Sequence, residues 1–136
     1  MPDTKQNQPY YTLTSGQSPL IATAIHDGHT VRDNISSFFL LTSDERLREE
    51  DPFTAGWVGI TDNQVIGLNS RFEMDLNRAR EKAIYRKPED AWGLTVWKDE
   101  LPEEMAQESL ARYDQFYANV KKMLQSIVDR HGCFVV

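Results

Sequence analysis

The chain has 136 residues, 15 basic and 21 acidic, for a formal charge of −6. A chain this acidic is not built to coat nucleic acid or an anionic membrane. A single cysteine excludes an internal disulfide and any multi-cysteine metal site, and fits a reducing, cytoplasmic address. Six Phe, five Tyr and three Trp give the chain enough to bury that disorder is disfavoured.

Residues 1–18 are polar, with Pro2 and Pro9, and read as a tail carrying one short strand at Tyr10 to Leu13. The tail has no apolar core of the kind a secretory signal needs. Residues 19–136 read as one domain. The run Leu20 to Ile25 is short, apolar and bounded by Pro19 and the polar His26-Asp-Gly-His29, as expected of a buried strand with a loop at its carboxyl end. In open α/β sheets ligands bind at that end.

Asn34 to Leu41 reads as a short helix. Thr42-Ser-Asp-Glu45 has capping-box spacing and opens another, which Pro52 ends. Trp57 to Thr61, Asp62-Asn63 and Gln64 to Leu68 read as a hairpin. Arg71 to Leu76 alternates polar and apolar residues, as a half-buried strand does. Trp92 and Trp97 are expected to cover the sheet. Pro102 to Arg130 is a long amphipathic helix with an apolar stripe at Leu110, Tyr113, Tyr117, Val120, Leu124, Ile127 and Val128, closed by Gly132. A further strand begins at Cys133. A long helix normally feeds the next strand of a sheet, so the 136 residues are expected to be the first part of a larger α/β domain. Cys133 to Val136 also reads as a complete edge strand.

Three clusters carry chemistry. His26 and His29 sit three apart on a strand-exit loop and can reach one divalent ion, with Asp27 orienting an imidazole; the same residues also read as a hydrated Asp-Gly turn. Gly28 is expected to permit the tight bend. Glu49-Glu50-Asp51 offers carboxylate ligands, or a solvated helix end that opposes the helix dipole. Arg71 with Asp75-Leu-Asn77-Arg78 suits a two-pronged grip on a carboxylate, with Asp75 holding Arg78, and reads equally as a strand-end ion pair. Imidazole and carboxylate beside an Asn-Arg pair together describe a metal-assisted amide hydrolase acting on an acidic substrate.

Pro19 to His29, Leu47-Arg-Glu-Glu-Asp-Pro-Phe-Thr54, Ser70 to Arg78, Pro88-Glu-Asp-Ala-Trp-Gly-Leu94 and Ser109 to Tyr117 resemble the N-formylglutamate amidohydrolase family. The resemblance implies a zinc (or other divalent-metal) hydrolase with the three-layer α/β/α, mixed-sheet fold shared with carboxypeptidase A and aspartoacylase. It implies cleavage of N-formylglutamate to glutamate and formate in histidine breakdown. His26 matches the first metal histidine. His29 stands where the wider superfamily has a glutamate, so Asp51 is the preferred acidic ligand, with His29 and Glu50 as candidates. Asn77 and Arg78 resemble the substrate-carboxylate site, and Arg71 the arginine that stabilises the oxyanion. The resemblance also implies a further metal histidine and an acid–base group beyond Val136; His131 does not match that histidine. A small acidic N-acyl amino acid is the expected partner, without nucleic acid or membrane. The alternatives are a non-catalytic, truncated half-domain that pairs with a second copy or a separate second half through its unfinished sheet edge, and a hydrolase of another N-acyl amino acid.

Overall fold

A computed structural model of the chain describes residues 8–136. The first seven residues of the expected polar tail lie outside them. Three strands form a mixed sheet in the order β1-β3-β2. Strand β1 (Tyr11–Thr14) runs antiparallel to β3 (Asn63–Gly67), pairing Tyr11 with Gly67 and Thr14 with Gln64. Strand β2 (Ile21–Ala24) lies parallel to β3 on its other side, pairing Ile21 with Asn63 and Ala24 with Ile66. Val135 extends the sheet beyond β2 by one parallel bridge, with Ile21 N–H donating to its carbonyl at 2.8 Å.

Between β2 and β3 the chain forms α1 (Asp33–Ser36), α2 (Ser43–Glu49) and a 3-10 segment, Thr54–Ile60. The capping box is formed: Thr42 Oγ1 accepts from Glu45 N–H and the Glu45 carboxylate accepts from Thr42 N–H. The last element, α3 (Glu103–His131), ends on Gly132 at φ 76°, the left-handed residue a helix C-terminus favours. Its buried face is Ala106, Ser109, Leu110, Tyr113, Phe116, Met123 and Ile127. That face includes Phe116 and Met123, which the sequence stripe omits. Tyr117 is 40% exposed and anchors the helix instead by donating its hydroxyl to the Leu76 carbonyl.

Four expectations are corrected. The hairpin over 57–68 does not form, because both edges of β3 are already occupied by β1 and β2. Trp57 and Ile60 are 74% and 76% exposed, and only Val58 of that run is buried. The half-buried strand at 71–76 is a turn-rich segment in which Phe72 to Leu76 are all buried, so its alternation is not inside–outside. The helix at 34–41 stops at Ser36, after which Phe39 bridges Trp97 and Leu40 N–H donates to the Val96 carbonyl. Trp97 is buried against Phe39 and donates to the Tyr85 carbonyl, whereas Trp92, also expected over the sheet, is 55% exposed. Among the described residues no helix is long and apolar enough to cross a membrane.

Several phenols are held neutral by the fold. Burial pushes Tyr10 and Tyr113 up to about 12, and pushes Tyr85 higher still. Tyr10 and Tyr113 donate to the backbone carbonyls of Arg112 and Arg78. A pKa raised on folding stabilises the fold fully below the unfolded value, about 10, and the contribution is lost as pH rises through the folded value. Urea midpoints should therefore be level through pH 9 and fall between pH 10 and 12. A midpoint unchanged at pH 11 would contradict the placement of these phenols.

Candidate active site

The site grows from the carboxyl end of β2. Two glycines allow the strand exit to lie against β3. A Cβ on Gly67 would fall 2.3 Å from the Ile25 carbonyl oxygen, and one on Gly28 would fall 2.1 Å from the Leu68 carbonyl carbon. Gly28 is thus required for close approach of two backbones. The exit loop is then tied to the loop after α2. Asp51 N–H donates to the His26 carbonyl at 3.0 Å, and Ala55 N–H donates to Asp27 Oδ1 at 3.0 Å. These ties bring the Asp51 carboxylate over the His26 ring, with Oδ2 3.5 Å from Nδ1.

The other imidazole nitrogen, Nε2, lies 2.8 Å from Asp75 Oδ1. Asp75 is completely buried and is the centre of the cluster. It accepts from Asn77 N–H at 2.8 Å, from Arg71 Nη2 at 3.1 Å and from the Tyr85 hydroxyl. Burial alone would raise its pKa, but the bonds from His26, Tyr85 and Asn77 outweigh burial and hold the carboxyl well below the usual carboxylate range. With Nε2 donating to the ionised Asp75, the neutral ring turns its Nδ1 lone pair to the Asp51 carboxylate. In that tautomer two acceptors face one another, and a cation between them would satisfy both.

That pair fits two ligands of a metal ion. Tetrahedral zinc with ligand bonds of about 2.1 Å separates neighbouring ligand atoms by about 3.4 Å, close to the 3.5 Å observed. A carboxylate behind the ligating histidine is the usual support for such a site. Among the described residues no three His, Cys, Asp or Glu side chains gather into a full ligand set.

The remaining sequence candidates divide into two groups. His29 and Glu50 bond to each other: His29 Nδ1 lies 2.5 Å from Glu50 Oε2, and Nε2 lies 2.7 Å from the Ser43 hydroxyl. The buried Glu50 also accepts from Ser70 Oγ. Both nitrogens of His29 and both oxygens of Glu50 are therefore engaged within this chain. Arg71, Asn77 and Arg78 gather around Asp75. Burial opposes the charge of Arg71, yet Tyr85 and Asp75 outweigh burial and raise its pKa above the ordinary value. Arg71 also donates to the Glu49 carbonyl at 3.1 Å. Asn77 shares with His26 and Asp51 a cleft of about 490 Å³, floored by Ala22 to Ile25 and walled by Trp57, Val58 and Ile60.

Sequence reasoning placed Asp75 beside Arg78 but missed its bond to His26, 49 residues away. It did not place Tyr85 at this cluster, and it read Trp92, although inside the Pro88 to Leu94 segment, as cover for the sheet rather than as a neighbour of the arginines. The Tyr85 hydroxyl bonds Asp75, and the Arg78 guanidinium lies 4.6 Å above the Tyr85 ring.

The sequence model of one protein family, described as N-formylglutamate amidohydrolase, matches residues 18–136. No curated protein and no solved structure matches the chain.

Proposed function

This chain belongs to the N-formylglutamate amidohydrolase family, and from that premise we propose that it serves metal-dependent hydrolysis of the amide of N-formylglutamate or a related acidic N-acyl amino acid. The single observation carrying this reading is the His26 Nδ1 to Asp51 Oδ2 pair at 3.5 Å, backed by the buried Asp75. His26 and Asp51 are the residues that would hold the metal. When bound, such an ion supplies a Lewis acid and an acidified water. The reading also takes the mixed sheet to be part of a three-layer α/β/α hydrolase fold.

The chain's own residues divide the remaining work. Asp75 fixes the tautomer and the ring plane of His26. Arg71, pinned by Asp75, Tyr85 and the Glu49 carbonyl, keeps a full positive charge beside the cleft and stabilises the oxyanion that develops as the amide carbonyl is attacked. Asn77 and Arg78 hold a substrate carboxylate. The side chains of Trp57, Val58 and Ile60 give one wall of the cleft an apolar surface.

Formate release from N-formyl-L-glutamate by the purified, zinc-supplied protein tests the reading. Zinc-dependent formate release is the result that supports it, and Arg78→Ala is then expected to raise KM at least tenfold with kcat little changed. An unchanged KM would remove Arg78 from the binding site; formate release that persists in His26→Ala would contradict the reading. The apolar cleft wall favours a second reading, in which the acyl group is larger than formyl. The same assay with N-acetyl- and N-butanoyl-glutamate separates the two.

A further inference from the structure

Trp92 breaks two local rules at once. Its backbone lies in the left-handed region, at φ 53° and ψ 30°, where a bulky side chain is uncommon and costly. Its indole is also 55% exposed, so core burial does not offset the cost. A residue serving only to turn the chain here is best as glycine, and Gly93, the next residue, already is one, at φ 89°.

What the indole does touch is charge. The Arg71 guanidinium carbon lies 4.8 Å from the Trp92 ring centre, and that of Arg78 lies 5.7 Å from it. Arg78 lies at the same time 4.6 Å over Tyr85, whose ring meets Trp92 edge-on at 5.9 Å. The two arginines differ in what else holds them. Arg71 donates to Tyr85, Asp75 and the Glu49 carbonyl. Arg78 has a carboxylate oxygen of Asp75 at 3.6 Å from Nε, and among the described residues its side chain donates no hydrogen bond. Its side chain is 30% exposed. A guanidinium held by ring faces keeps its N–H donors open for an incoming anion.

We propose that Trp92 and Tyr85 form an aromatic platform that holds the Arg78 guanidinium, with its donors free, for the carboxylate of an acidic substrate, and that Trp92 is the positioning residue that sets the affinity of this subsite. The proposal rests on the reading of Arg78 as a carboxylate-binding residue. The strained backbone is retained because it delivers an indole to this spot. Loss of one cation–π contact with a partly desolvated arginine corresponds to about a tenfold change in affinity.

The test measures, by calorimetry on the full chain, the affinity for N-formyl-L-glutamate and for glutarate, a dicarboxylate with no amide to cleave. The variants are Trp92→Ala, Trp92→Gly and Trp92→Phe, each also in an Arg78→Ala background. Trp92→Gly relieves the backbone and so keeps the test sound if the alanine variant folds poorly. The expected result is an approximately tenfold loss for alanine and for glycine, recovery to within about threefold for phenylalanine, and no further loss once Arg78 is absent. Wild-type affinity in Trp92→Gly, or an equal loss in the Arg78→Ala background, would overturn the proposal. So would absence of binding of either compound by the unaltered protein. Trp92-dependent glutarate binding together with formate release that persists in His26→Ala would support the platform and sink the metal-hydrolysis reading. Formate release with the same KM in Trp92→Gly and the unaltered protein would do the reverse.

Discussion

Replacing Asp75 with alanine lowers the free energy of unfolding by about 3–5 kcal/mol, the cost of breaking a buried ion-pair network by removing one member. The carboxylate is fully buried and accepts from His26, Arg71, Tyr85 and the Asn77 backbone. Alanine strands all of these donors, and Arg71, whose side chain is only 13% exposed, keeps a charge that water cannot fully solvate. Asparagine keeps the shape but removes the charge, and its amide nitrogen turns donors toward donors. Both variants should unfold at lower urea concentration than the unaltered protein, alanine first. The pH dependence has a definite sign. A carboxyl whose pKa is depressed on folding stabilises above its unfolded value, about 3.9, and the contribution is lost as pH falls toward the folded value. The unaltered protein should therefore weaken below pH 4, and Asp75→Asn should show less of that acid sensitivity. An Asp75→Ala midpoint within error of the unaltered protein would refute the network.

Replacing Glu73 with alanine has an effect of similar size, about 3–5 kcal/mol, but leaves the cleft chemistry intact. Glu73 is also fully buried. It binds Arg32 through Nη1 at 2.5 Å and through the backbone N–H at 3.0 Å, and it accepts from Asn69 Nδ2 at 2.9 Å. Arg32 in turn donates to Ser109 Oγ and to the Met105 carbonyl on α3. The pair therefore fastens the long helix to the 70s segment. Glu73→Ala should loosen the α3 attachment, seen as faster amide exchange at its buried residues 106–113, and lower the urea midpoint as Asp75→Ala does. Binding of an acidic ligand, measured below the unfolding transition, should change less than twofold. A large loss of that affinity would show that the two networks are not separate.

These two carboxylates also show where sequence reading reaches its limit. Polar residues at 73 and 75 alternating with apolar neighbours follow the pattern of a half-solvated strand, because periodicity cannot distinguish water from a buried cation as the partner of a carboxylate. Arg32 and His26, the partners that decide the matter, lie 41 and 49 residues away. Local signals fared better. The capping box at Thr42 and Glu45, the Gly132 stop and the α3 helix itself each depend on residues within a few positions and are present in the structure, while of the predicted stripe Leu110, Tyr113 and Ile127 are buried. The run Trp57 to Ile60 has strand-like composition, but β3 has no free edge to accept it, and pairing is a property of the whole sheet.

The candidate site was legible to the same extent. A polar loop after a buried strand located His26, and the Asp-Leu-Asn-Arg spacing located the arginine cluster. The structure brings both together around one buried carboxylate and adds Asp51 through the backbone bond between residues 26 and 51. His29 lies on the same loop, yet turns to Glu50 and Ser43. Which of two nearby imidazoles faces the cleft depends on rotamers and distant partners, and sequence spacing does not encode that choice. Trp92 was invisible as a site residue because its role depends on a left-handed turn that its own sequence disfavours.

The most direct measurement is the zinc content of the purified chain after exhaustive dialysis against trace metal, set beside that of His26→Ala and Asp51→Ala. The account predicts more zinc retained by the unaltered protein than by either variant, with His29→Ala retaining as much as the unaltered protein. Equal retention by His26→Ala, or no retention by the unaltered protein, would contradict the assignment of the His26 and Asp51 pair as the metal-holding centre of this hydrolase.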